Sequence, residues 1–310
     1  MKIFFNRIPK EEPYGGGNQF LSEIVNYLRN KNHNVVFELQ DNIDILFVMD
    51  PRPDNANNIS INDMIKYRYF SPKTKILHRV NECDVRKNTN FIDSILLQTM
   101  NESDHVVFIS KWLQDYFGEK GFNKNSIVIY NGCNLQLFNP EKDKKINDKI
   151  KLVTHHWSDN WMKGFDIYTE IDKHLRNTSN FEFTYIGRYN SSYSPKNTNI
   201  ISPLCGKKLG DELKKYDIYV TASRFEPCGM HHIEAAASGL PILYHRDGGG
   251  INECAKNHGE EFYNFESFLM KLSIILNKIN EYRSIINYDQ LSIDNVCQDF
   301  EKVLNWLHDK

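Results

Sequence analysis

Short runs of β-branched and aromatic residues alternate with longer stretches of helical spacing along most of this chain. That rhythm restricts the fold more than any other feature. In the first half the strand candidates are KIFF from Lys2, NVVFEL from Asn34, DILFVM from Asp44, KILHRV from Lys75, HVVFIS from His105 and SIVIY from Ser126. Between them lie segments such as QFLSEIVNYLRN, where Phe20, Ile24, Tyr27 and Leu28 share one helical face. Strands and helices alternating in this way predict a mainly parallel sheet covered on both faces, an α/β fold. The alternation stops at the polar run from Asn139 to Lys151 and restarts with KLVTHH, FEFTYIG, NIISPL, DIYVTAS and PILYH. The run reads as a linker between two α/β domains, 1–147 and 148–310, with a cleft between them. The tail from Asn264 reads as helical, with VCQDFEKVLNWLHDK as a last helix that has the option of returning to the first domain.

With 40% hydrophobic and 25% charged residues in 310, the chain has ample material for two cores. The formal net charge is -2 and no long basic run occurs, which argues against nucleic acid as a partner. Six cysteines without a CxxC pair read as reduced thiols in a cytoplasmic protein. MKIFFNRIP reads as a first strand and not as a signal peptide. No apolar run approaches the roughly 18 residues that span a bilayer, so no transmembrane segment is expected; peripheral membrane contact stays open.

Ligands of such sheets bind beyond the carboxyl ends of the strands, so the strand-to-helix turns are where chemistry is sought. Three stand out. In EEPYGGGNQF, from Glu11 to Phe20, glycines would let the backbone approach a phosphate at a helix N-terminus. A dinucleotide fingerprint is only half present, because Gly15 and Gly17 are followed by Phe20 where a third glycine belongs; a plain flexible turn is the bland reading. In THHWSDNWMKGFDIY, Lys163 opens a helix, where its charge opposes the helix dipole unless an anion lies nearby. It is a candidate phosphate ligand or a solvated surface lysine. In FEPCGMHHIEAAASGLP, from Phe225 to Pro241, a helix from about Gly229 to Ser238 starts without Ser, Thr, Asp or Asn, leaving its first N–H groups unclaimed. HRDGGGINE supplies a further glycine loop on the same sheet edge.

The cysteine and histidines of the third turn raise a metal question. Cys228, His231 and Glu234 follow at intervals of three and offer three zinc ligands. His232 points about 100° away from His231, so the adjacent pair does not chelate together. Without a second half-site, the expectation is no metal, with Cys228 and His232 as bystanders.

The extended pattern in this turn, Glu226, Gly229, Glu234, Ala235, Gly239 and Pro241, resembles the E-x7-E motif of retaining GT-B glycosyltransferases, the glycosyl transferases group one. The likeness continues in FISKWLQDYF (Phe108 to Phe117), in IYNGCNLQLFNP (Ile129 to Pro140, with Asn134 where Asp is usual), in MKGFD and in GGGNQF. It implies two Rossmann-like domains facing a cleft, a nucleotide diphosphate sugar as donor substrate, no cofactor, and a carbohydrate or other hydroxyl as acceptor. It also implies roles. Glu226 would bind the donor sugar and support charge at its anomeric carbon, with Lys163 neutralising the departing diphosphate. Gly229, Met230 and His231 would offer backbone N–H groups, Glu234 would hold the ribose, and Gly16 and Gly17 would close over the phosphates.

Two departures stand out. The usual arginine before the lysine is missing; Ser158, Asn160, a histidine or Arg188 takes its place. In RVNECDVRK, Asn81 and Asp84 are the candidates for the catalytic side of the first domain, with His78 inside the strand. The resulting expectation is a retaining, metal-independent sugar transfer. The rivals are another GT-B enzyme, such as a phosphorylase or epimerase, a non-catalytic sugar-nucleotide-binding protein, and a zinc protein.

Overall fold

A computed structural model describes residues 1–10, 15–52, 59–142, 144–146 and 148–310. The first part of the glycine turn, Glu11 to Tyr14, and two residues of the expected linker, Asp143 and Asn147, lie outside the described residues. The chain forms two compact units, Met1–Asn131 together with Ile293–Lys310, and Gly132–Ser292.

In the first unit six parallel strands run β1 (Lys2–Phe5), β2 (Asn34–Val36), β3 (Ile45–Val48), β4 (Lys75–Val80), β5 (His105–Phe108) and β6 (Ser126–Val128). Their order is β2-β1-β3-β4-β5-β6. The inner strands are apolar on both faces because helices cover both, which is why they read as continuous hydrophobic runs. The C-terminal helix Ile293–His308 belongs here. Val296, Cys297, Phe300, Val303, Leu304 and Leu307 repeat at helical spacing and are buried. Phe300 meets Phe20 at 5.1 Å, and Tyr27 of the helix Gly15–Asn30 donates to Glu301 at 2.8 Å.

The second unit has β7 (Ile150–His156), β8 (Phe181–Gly187), β9 (Asn199–Ile201), β10 (Ile218–Thr221), β11 (Ile242–His245) and β12 (Gly259–Phe262), all parallel in the order β12-β11-β10-β7-β8-β9. Read from β7, this is the doubly wound order in which the chain moves out one way, returns, and moves out the other. The reversal falls between β7 and β10, so the crevice of this sheet opens beyond His156 and Thr221.

The structure differs from the sequence reading in three places. The division between the units comes at residue 131/132, ahead of the polar run, because IYNGCNLQLFNP packs on the second unit from Gly132 onward. There Cys133 donates its N–H to the Leu291 carbonyl at 2.7 Å, and Gly210 lies so close to Leu137 that a Cβ would strike the Leu137 carbonyl. The last helix counts with the first unit and not with 148–310. Strand β12, GEEF, has no period-2 apolar signal, since its two glutamates sit on an edge strand and only Gly259 and Phe262 are buried.

His78 sits inside β4 with 0% exposure, and neither ring nitrogen has a hydrogen-bond partner among the described residues. Burial holds its pKa down at about 3, against a weaker upward pull from Asp50. The unfolded chain takes up this proton near pH 6.5, the native chain only far below. Its contribution to stability is therefore complete above that pH and is lost as pH falls through the window, at up to about 1.4 kcal/mol per pH unit. His78→Leu should flatten the fall in urea-derived stability between about pH 6 and pH 4. A slope unchanged from wild type would contradict the assignment.

Candidate functional site

The reversal point of the second sheet brings two turns together. After β7, Asn160 caps a short 3-10 turn, Trp161–Lys163, by accepting from the Met162 N–H at 2.8 Å. Gly164 then turns left-handed at φ 93° into the helix Phe165–Leu175, and a Cβ there would run into Ala222 at the exit of β10. Glycine is thus required twice over, by conformation and by space. The second turn is fastened to the first. Arg224 donates its N–H to the Met162 carbonyl at 2.8 Å, and its guanidinium grips Asp166 with two bonds, at 3.1 and 2.5 Å.

Beyond Arg224 the backbone is pinned on its other side. Phe225 adopts a left-handed φ of 51°, uncommon for an aromatic residue. Its N–H donates to the Asp247 carbonyl at 2.7 Å, Glu226 donates to Gly248 at 3.2 Å, and Gly250 donates to Glu226 at 2.9 Å. The glycine loop of HRDGGGINE is thus paired to the Glu226 segment as a parallel bridge. Held from both sides, the Glu226 carboxylate meets the Lys163 ammonium in a buried ion pair, the residues being 3% and 8% exposed. A lysine that would be a liability at an exposed helix start is here desolvated and matched.

The helix Met230–Ala237 begins one turn later with Gly229 at the N-cap position, no side-chain cap and every residue buried. Its first N–H groups and its dipole point an unfilled positive end toward the turn. Gly229 is needed for space: a Cβ would stand 2.8 Å from Nε2 of His231 and 3.1 Å from Cγ of Glu226. The His231 ring folds back over the turn, Nδ1 at 3.1 Å from the Tyr219 hydroxyl, and Nε2 has no hydrogen-bond partner among the described residues. Burial, with His156 and Lys163 adding to it, holds His231 well below the usual histidine range, so the imidazole is neutral. His156 is held neutral in the same way, by burial and then by Lys163. Glu234, one turn into the helix, meets Nε2 of His155 at 2.8 Å.

Two further expected donor residues, Ser158 and Arg188, follow strands of the same sheet. Ser158 accepts from the Asn160 N–H at 3.2 Å. Arg188 follows β8; its N–H donates to the His156 carbonyl at 3.2 Å and its guanidinium stacks on Trp157 at 4.0 Å. In the first unit, Gly16 and Gly17 open the helix Gly15–Asn30, and a Cβ on Gly17 would stand 3.5 Å from the Asn81 amide. Asp84 behaves differently. Its carboxylate accepts from Thr89 at 2.5 Å and from the N–H groups of Phe91, Ile92 and Asp93 at 3.2, 3.0 and 3.2 Å. These bonds draw its pKa below the usual carboxylate range, and they cap the helix Ile92–Glu102. A carboxylate so engaged holds the end of that helix in place.

The zinc triad weighed from spacing is not assembled, since His231 turns to Tyr219 and Glu234 to His155. Sequence reasoning missed His155 as the partner of Glu234; the signal was a histidine at the end of a strand beside the reversal point.

Comparison with known proteins gives a consistent picture. Residues 141–290, which contain Lys163 and the whole Phe225–Pro241 stretch, match the family described as Glycosyl transferases group 1. A glycogen synthase of Bacillus anthracis is 23% identical over 257 residues, 76% of this chain. The chain spans about half the length of the curated relatives it matches, 50% in that case. Among solved structures, sucrose-phosphate synthase from Thermosynechococcus elongatus superposes with a TM-score of 0.74 at 12% identity, covering 99% of this chain and 98% of that one. Anabaena HepE in complex with UDP-glucose gives 0.71 at 14% identity, covering 98% and 99%. A glycosyltransferase from Rickettsia africae gives 0.68 at 15%, covering 99% and 98%. At these identities the likeness establishes the fold, the GT-B type. No helix among the described residues is long and apolar enough to cross a membrane.

Removing one partner of the buried pair takes the opposite charge away from the other. Lys163→Ala and Glu226→Ala should each lower the unfolding free energy by about 3 kcal/mol or more. The double variant should lose far less than the sum, with a coupling of at least about 1 kcal/mol in a denaturation cycle. Additive losses would show that the two side chains do not interact.

Proposed function

We propose that this chain, whose residues 141–290 match the glycosyl transferases group 1, is a retaining glycosyltransferase that moves a sugar from a nucleoside diphosphate to an acceptor hydroxyl. The observation that carries this reading is the Lys163–Glu226 pair beside the uncapped helix Met230–Ala237, at the reversal point of the second sheet.

Each group there suits one part of such a donor. The leaving diphosphate develops negative charge, and Lys163 with the N–H groups of Gly229, Met230 and His231 supplies fixed positive charge and donors. Glu226 takes sugar hydroxyls, because a carboxylate accepts two hydrogen bonds at once, and it stabilises the positive charge that grows at the anomeric carbon. Glu234, oriented by His155, takes the ribose hydroxyls. Arg188 and Ser158 stand where the missing arginine would be, with Arg188 the stronger phosphate ligand of the two.

The bond from the anomeric carbon to the diphosphate oxygen breaks while the acceptor oxygen bonds to that carbon on the same face. The acceptor proton passes to the departing phosphate oxygen. Because Lys163 and the helix end carry the charge, the transfer needs no metal. The acceptor is a carbohydrate or another hydroxyl compound, and the reaction belongs in the cytoplasm, the compartment that the cysteine usage suits.

The test is a screen of UDP-, GDP- and ADP-sugars for nucleotide release in the presence of sugar acceptors, followed by NMR of the product's anomeric centre. The expected outcome is release from one donor class with retained configuration, and loss of at least about 100-fold in kcat for Glu226→Ala. Phosphorolysis, epimerisation, or binding without turnover with any acceptor would each overturn the transfer reading.

A further inference from the structure

Behind the Glu226 turn the fold collects three soft ligands from two segments that are far apart in sequence. Cys228 lies in the turn, His232 in the first helical turn after it, and Cys254 in the helix Gly250–Ala255. One ligand atom of each lies within 4.8 Å of the other two, and the sulfurs are 3.9 Å apart. His232 is 1% exposed, and neither of its ring nitrogens has a hydrogen-bond partner among the described residues. An imidazole buried without partners is costly unless something binds it. Cys228 is buried as well, while Cys254 is half-buried and gives the group its route to solvent.

We propose that Cys228, His232 and Cys254 form a zinc site that clamps the helix Met230–Ala237 to the helix Gly250–Ala255 behind the donor-binding turn. Two thiolates and an imidazole are a zinc donor set. Zinc–sulfur bonds of about 2.3 Å in a tetrahedron place two sulfurs about 3.8 Å apart, close to the spacing seen. A disulfide needs the sulfurs at about 2.0 Å and would leave His232 without a function. Binding releases the two thiol protons to solvent and takes His232 in its neutral form.

This site explains what the local sequence left unassigned. His231 and His232 diverge on the helix, so one ring turns to the donor turn and the other to the metal. The metal would also hold the glycine loop Gly248–Gly250 in place, whose backbone pairs with Glu226.

The experiment uses the untagged full chain, reduced and stripped with a chelator, then titrated with Zn²⁺ and separately with Co²⁺. The expected result is one equivalent bound, with a thiolate-to-cobalt charge-transfer band and the visible bands of tetrahedral cobalt. Cys254→Ser and His232→Gln should each weaken binding by more than the roughly 10–100-fold that loss of an outer-shell partner costs. Cys205→Ser, which removes an exposed thiol elsewhere, should leave it unchanged. Absence of the charge-transfer band in the wild type overturns the site whether or not the variants fold. So does equal affinity in Cys254→Ser, or a Cys228–Cys254 disulfide that forms in air with no zinc bound before or after reduction.

Discussion

The arrangement depends on one buried ion pair. Lys163 and Glu226 arrive from opposite sides of the point where the second sheet reverses, and neither charge is tolerable there alone. Much of the local structure serves to bring them together. Gly164 lets the first turn approach Ala222, Arg224 ties that turn to the second, and the Asp247–Gly250 loop holds Phe225 in a left-handed conformation. The strain sits directly before the carboxylate, as it often does where a side chain must be aimed.

Around the pair the environment is positive in potential and neutral in titration. Burial is the larger cause of the low histidine pKa values, but Lys163 contributes at both His156 and His231. Lys163 thus places a positive charge near both rings, and its potential adds to the effect of burial. The helix Met230–Ala237 adds its open N-terminus to that potential without adding a formal charge. A carboxylate ion-paired to the lysine and an anionic ligand would compete for the same ammonium.

How much of this was legible in the chain varies by residue. The placement of Glu226, Gly229, Glu234 and Lys163 at the crevice was readable because each sits at a fixed offset from a strand end, and strand ends define the crevice. The uncapped helix was readable because capping is a matter of one or two adjacent residues. His155 beside Glu234, and Cys254 beside Cys228 and His232, were not, since no local spacing records which strands become neighbours. The bonds of Asp84 to the N–H groups at the end of a helix were not readable either, since they join residues seven to nine positions apart across a turn. The junction between the units was displaced because polarity marks solvent exposure, while the packing of Cys133 and Leu137 that sets the division is carried by apolar and backbone contacts. Strand β12 was hidden because an edge strand needs few apolar residues to pair.

The central claim is that the Lys163–Glu226 pair is the meeting point of diphosphate and sugar, with the lysine serving the phosphate and the carboxylate the sugar. Calorimetric binding of UDP, GDP and ADP to wild type, Lys163→Met and Glu226→Gln tests it most directly. One diphosphate should bind the wild type, lose at least about tenfold in affinity with Lys163→Met, and keep or gain affinity with Glu226→Gln, which removes a competitor for the ammonium. Failure of all three nucleotides to bind, or an equal loss in both variants, would contradict the account.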